Sequence, residues 1–277
     1  TKYQLIYVWM ILFVCLVMTL NCFLLYHTSP FAEKYSVGAD KEYDLRDLLQ
    51  LRMKIVEKCN ELSQIVNRDE HGKVVYPEDS DMQVKAVEAM KNLGKGIILG
   101  EQSEKIPSIS QLDGYYPKPK PLLFSDFMCQ QHMQGYYFPF SMEANYNDVM
   151  YLTNKPFTMC HELAHLRGFI YEDEANFIGY LACVRSDDLY FQYSGYLCAF
   201  LYLENDCVQA QKRAPHAYRE AIGKIQIVEV EDAVYQDSIF VEEEEWDRIN
   251  KKALISTEAV NAAADAFIET NLKVNGI

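Results

Sequence analysis

His161-Glu162-Leu163-Ala164-His165 is an H-E-x-x-H pentad, and its residue types and spacing suit a divalent cation. On a helix, positions i and i+4 share a face, so both imidazoles can reach one ion. Glu162 then lies beside the first imidazole, where a carboxylate can take a proton from the water of a zinc site. Composition alone produces such a pentad in roughly one chain in a hundred of this length, so a second signal is needed.

That signal is the acidic cluster that follows. A catalytic zinc site takes three protein ligands and leaves one position open. Tyr171-Glu172-Asp173-Glu174-Ala175-Asn176 offers Glu172 as the third ligand, with Glu174 as second choice. Glu172 and Asn176 stand four apart, so on a helix they share a face, and Asn176 can orient a ligating imidazole from outside. Away from the pentad, the same cluster would read as an acidic first turn that complements a helix dipole. Peptide hydrolysis also needs a hydrogen-bond donor facing the developing oxyanion, and Tyr193 is the candidate, with Tyr196 beside it. With 20 tyrosines in the chain, a packing role competes for each. Glu143 is either a cleft acid or a solvated turn acid.

Several chemistries are excluded. A net charge of −14 leaves nothing to neutralise phosphates, so nucleic acid is not an expected partner. No G-x-S-x-G, Walker or dinucleotide fingerprint occurs. The 8 cysteines show no C-x-x-C pair; Cys160, Cys183 and Cys198 read as small core residues. Glu242 to Glu245 reads as a solvated helix face.

The elements that must position these residues fall into four stretches. Residues 3–27 carry no Asp, Glu, Lys or Arg and are mostly apolar. Because about 20 apolar residues suffice to span a bilayer, they predict a transmembrane helix. A cleaved signal peptide competes, but the run is long for one and no small-x-small cleavage site follows. The chain opens on Thr1 rather than Met, as a trimmed protein would. Residues 28–113 predict a helical connector, with helices over 43–66 and 79–93, the second capped by Asp79 or Ser80 and stopped by Gly94. Residues 114–203 predict the catalytic core. There Ser125 opens a helix to about Gln134, and Pro139 confines the aromatic run Gly135 to Phe140 to an edge strand or bulge. Such an edge could pair with an extended peptide. Pro156 opens the pentad helix, which reaches Leu166, and Gly168 turns the chain before a helix from Glu172. Residues 204–277 predict a C-terminal helical region with helices over 208–225, 242–254 and 257–272.

Lys118 to Tyr196 resembles a family of bacterial membrane-anchored proteins catalogued as domain of unknown function 3810. The resemblance is carried by Lys120-Pro121, Ser125, Gly135 through Asn145, Pro156-Phe157-Thr158, the pentad, Gly168-Phe169, Glu172 through Cys183, and Tyr193-Ser194-Gly195-Tyr196. The family is similar to zincin-type peptidases. That implies an α+β, mostly helical fold: a zincin-like core with a small sheet, an active-site helix and a glutamate-bearing helix, preceded by the transmembrane helix. It also implies a bacterial cell-membrane location; Lys2 before the span and Lys34, Lys41 and Arg46 after it give only a weak charge bias, so orientation stays open, with a core outside the cytoplasm as the expectation. Glu172-x-x-Ala175-Asn176 is similar to the third-ligand helix of gluzincins, although there that ligand comes much later than seven residues after the second histidine. The H-E-x-x-H-x-x-G arrangement resembles metzincins, whose third histidine would fall at Tyr171.

The expectation is therefore a membrane-anchored, zinc-dependent metallopeptidase acting on a peptide or protein, with His161, His165 and Glu172 as ligands and Glu162 as base. A non-enzymatic zincin-like membrane protein that binds a peptide or envelope partner, or acts as a sensor, is the alternative; the presence of Glu162 counts against it. The sequence carries no signal for oligomeric state.

Overall fold

The chain begins with α1 (Lys2–Met18), whose apolar side chains face all directions and none of which is buried. The computed structural model describes residues 2–20, 24–35, 42–77, 81–96 and 109–252. The transmembrane span expected over residues 3–27 is corrected here. The 17 residues of α1 extend about 26 Å at 1.5 Å each, short of a hydrocarbon core of about 30 Å. A π-helical turn follows at 19–20, and residues 21–23 lie outside the described residues. No helix among the described residues is long and apolar enough to cross a membrane.

Two short helices follow, α2 (Leu24–Tyr26) and α3 (Phe31–Tyr35). Helix α4 (Leu45–Ser63) starts at a capping box: Asp44 accepts from the Arg46 and Asp47 N–H groups, and Asp47 accepts from the Asp44 N–H. Its buried Leu49, Met53, Val56, Cys59 and Leu62 recur every three or four residues, so one stripe faces the core. Helix α5 (Met82–Lys95) is capped by Asp81 and ends at Gly96 with φ 69°. Gly94, expected to stop the helix, lies inside it. A Cβ there would stand 2.8 Å from the Leu112–Asp113 backbone, so close packing requires the glycine. The caps expected at Asp79 and Ser80 lie outside the described residues.

The sheet has three short strands in the order β1-β3-β2. β1 (Lys120–Pro121) pairs parallel with β3 (Glu143–Tyr146), and β2 (Gly135–Phe138) pairs antiparallel with it. Between β1 and β2, α6 (Ser125–Gln130) ends earlier than expected, and His132 turns the chain with φ 54°. Helices α7 (Lys155–Leu166), α8 (Glu172–Val184) and α9 (Leu189–Arg213) then form the centre of the molecule. Asp188 caps α9. Pro215 has no N–H to continue its ladder, so the chain breaks and α10 (Pro215–Ile222) begins there, in place of the single helix expected over 208–225. α11 (Asp232–Asp237) follows, and residues 243–252 are helical. The helix expected over 257–272 lies outside the described residues.

Glycines let the central helices approach. A Cβ on Gly179 of α8 would stand 3.3 Å from the His161 nitrogen of α7, and one on Gly195 of α9 2.7 Å from the Cys183 Cβ of α8. One buried cluster lies beneath the pentad, including Met159, Leu163, Ala164, Ile178 and Phe191. A second joins α4, α9 and α11 through Val56, Cys59, Leu197, Phe200 and Val234. The observed class is a mostly helical α+β fold with one small mixed sheet.

Candidate metal centre

One turn of α7 separates His161 from His165, and their Nε2 atoms stand 3.0 Å apart. Gly168, at φ 90°, turns the chain after α7 so that α8 begins with Glu172 over the two rings. Glu172 Oε2 lies 3.3 Å from His161 Nε2, and Oε1 lies 3.6 Å from His165 Nε2. The donor atoms of all three residues fall within 4.8 Å of one another.

The protonation pattern favours a cation at this point. His165 Nδ1 meets the Phe169 carbonyl at 2.7 Å, which keeps a proton on Nδ1 and leaves the Nε2 lone pair facing His161. Burial, and then the nearby His165, push the His161 pKa down to about 3, so this imidazole is neutral at neutral pH. Two imidazole nitrogens and a carboxylate thus converge on one another, and this mixed nitrogen and oxygen set fits zinc.

Glu162 is buried, 5% exposed, on the same helix. Burial raises its pKa to about 8, the Glu172 charge adds to the rise, and a hydrogen bond from the Tyr137 backbone opposes it. Strand β2 lies directly against this carboxyl: a Cβ on Gly135 would stand 2.5 Å from Glu162 Oε1. The Asn147 N–H donates to the Gln134 carbonyl at 2.7 Å. Antiparallel alternation then turns the backbone groups of Gly135 and Tyr137 away from β3, and the Tyr137 N–H meets Glu162 there. The donors and Glu162 open into a cleft of about 890 Å³, walled by β2 on one side and by Asn176, Leu201 and Tyr202 on the other.

A family model covers residues 2–277, the whole of this site included. The chain belongs to the family described as protein of unknown function (DUF3810). No curated protein and no solved structure matches it. The zincin-like core expected above is therefore corrected to the coarser class that the DUF3810 chain displays, a mostly helical α+β fold with a three-stranded sheet.

The other expected residues of this DUF3810 chain are placed as follows. Glu174 does not join the donors; its carboxylate accepts the Phe31 backbone N–H. Asn176 lines the cleft, and its side chain favours the charged form of His161. It completes no hydrogen bond to the buried His161 Nδ1, which meets no partner among the described residues; its Nδ2 donates to the Tyr202 hydroxyl at 2.8 Å. Tyr193 is not at the site. It is 1% exposed in the second cluster, and its hydroxyl donates to Asp237 Oδ2 at 2.6 Å. Tyr196 packs edge-on to Tyr180 against that same cluster. Glu143 is paired with Lys120 and Ser141.

Two cleft residues were missed by the sequence reading. Gly135 had a signal, since a glycine opening an aromatic strand marks a close backbone approach. Tyr202 had none.

Proposed function

We propose that the protein is a zinc-dependent metallopeptidase that hydrolyses peptide bonds. The observation that carries this reading is the convergence of His161, His165 and Glu172 beside a buried Glu162, in a cleft walled by the edge strand β2. His161, His165 and Glu172 would hold the ion. Zinc supplies Lewis acidity toward a carbonyl oxygen and makes water acidic near neutral pH.

Glu162 is the general base. It takes the proton of the attacking water and passes it to the leaving amine. With a pKa of about 8 in the cation-free protein, it is poised near neutrality, and positive charge beside it favours the carboxylate that a base requires. Edge strand β2, whose Gly135 backbone is turned away from β3, can pair with an extended substrate and set its register over the donors. Tyr202, on the α9 wall of the cleft, offers a hydroxyl to the developing oxyanion in place of Tyr193.

Elemental analysis of the purified protein should find about one equivalent of zinc. His161→Ala should lose it. Glu162→Gln should keep the metal and lose cleavage of a mixed quenched-peptide pool. Zinc-free wild type that takes up none on addition, or a Glu162→Gln variant as active as wild type, would overturn the proposal.

A further inference from the structure

Of the three donors, Glu172 is the least supported by its surroundings. Its side chain is 77% exposed, and among the described residues its carboxylate reaches only the two imidazoles. Its position is therefore set by the first turn of α8, and no side chain at the N-cap holds that turn. Tyr171 at the N-cap makes no side-chain capping bond, so backbone N–H groups of the first turn go without that partner.

What grips the turn comes from much earlier in the chain. One residue before Glu172, the Tyr171 hydroxyl donates to the Tyr26 carbonyl at 2.8 Å, and the two rings meet edge to face at 5.6 Å. Two residues after it, the Glu174 carboxylate accepts the Phe31 N–H. Phe31 is buried, its ring edge-on to Phe169 and Phe177 at 5.9 and 5.6 Å. Tyr26 and Met18 also line the cleft.

We propose that Tyr26–Phe31 is a clasp for the cation site, with Tyr171 and Glu174 as the positioning residues through which it fixes Glu172. This inference rests on Glu172 being the third zinc ligand. The clasp holds the turn on both sides of the donor and removes the freedom an exposed carboxylate would otherwise lose on binding a cation. Any displacement of the N-terminal segment is then read out as weaker cation binding. A clasp that served packing alone would change unfolding but leave the folded site's affinity as it is.

The test measures zinc affinity by chelator competition, and the visible spectrum of cobalt(II)-loaded protein, on the full chain. Glu174→Ala should weaken zinc binding roughly tenfold, as loss of a supporting outer contact does, and should alter the cobalt spectrum. Glu174→Gln, whose amide oxygen still accepts the Phe31 N–H, should recover most of the affinity. Tyr171→Phe, which removes one hydroxyl, should weaken binding severalfold and decides the matter if Glu174→Ala does not fold. If both Glu174→Ala and Tyr171→Phe match wild type in affinity and spectrum while Glu172→Ala loses zinc, the clasp is wrong and the zinc reading stands. A wild-type protein that binds no zinc overturns the reading beneath it.

Discussion

Glu162 carries opposite demands. A base must be ionised at working pH, yet burial beside the Glu172 charge raises its pKa from 4.5 to about 8. A carboxyl whose folded pKa is raised holds its proton more tightly in the folded state. The contribution is favourable below 4.5 and is lost as pH rises toward 8. His161 has the reverse sign: with a folded pKa lowered from 6.5 to about 3, it makes stability rise with pH across that interval. The two windows overlap, so a single pH profile mixes them, whereas a comparison with Glu162→Gln cancels the histidine. In chelator-treated protein, Glu162→Gln should gain stability over wild type between pH 5 and 8, by up to about 1.4 kcal/mol per pH unit. Urea unfolding at several pH values measures this. Parallel profiles for the two proteins would show that Glu162 ionises in the folded state as it does unfolded.

Among the elements, the contact between β2 and α7 has the sharpest consequence. A Cβ at position 135 meets Glu162 Oε1 at 2.5 Å and the Thr158 methyl at 2.8 Å. The methyl belongs to a buried threonine on α7, so it has little room to yield and the carboxyl must move instead. Gly135→Ala should therefore keep its zinc and lose roughly a hundredfold in turnover, the scale of an ångström-sized misplacement. Unaltered turnover would show that the strand does not hold the base. Local rules made part of this legible. The pentad on one helical face, the turn at Gly168 and the end of β2 just before Pro139 all follow from backbone geometry within a few residues. The apposition of β2 to Glu162 does not, because nothing within the strand names its neighbour. Tyr193 shows the same limit. At about 100° per residue, nine residues put Tyr202 on the opposite side of α9 from Tyr193. Cys198, Leu201, Tyr202 and Asn205 form the cleft face, while Tyr193, Leu197, Phe200 and Leu203 form the buried one. Both faces are apolar, so periodicity alone could not tell which looks on the donors. In the N-terminal helix, apolar content was legible but its end at Met18 was not.

Across the whole molecule, the site and the main polar hub occupy different halves of the core. Asp237, 1% exposed, accepts from Arg68 Nη1 and Nη2 at 3.0 and 2.6 Å and from the Tyr193 hydroxyl, while its backbone carbonyl accepts from Thr153. It thereby ties α11 to α9, to the segment after α4 and to the turn before α7. Burying that carboxylate, with Arg68 still 22% exposed, is costly unless every partner is present. Asp237→Ala takes the carboxylate partner from Arg68 and the acceptor from the buried Tyr193 hydroxyl, and should lower stability by about 3 kcal/mol. The hub shares no residue with the donor cluster, so zinc affinity of the folded variant should equal that of wild type. Denaturant unfolding with zinc buffered at a fixed concentration separates the two quantities. A drop in zinc affinity would mean that the halves are coupled through α9. The double variant Asp237→Leu with Arg68→Met removes both charges together and should recover most of the loss, because apolar packing often replaces a buried ion pair without penalty. Recovery would assign the pair to fixing how α11 meets the segment after α4; a double variant as weak as Asp237→Ala would assign it to net stability.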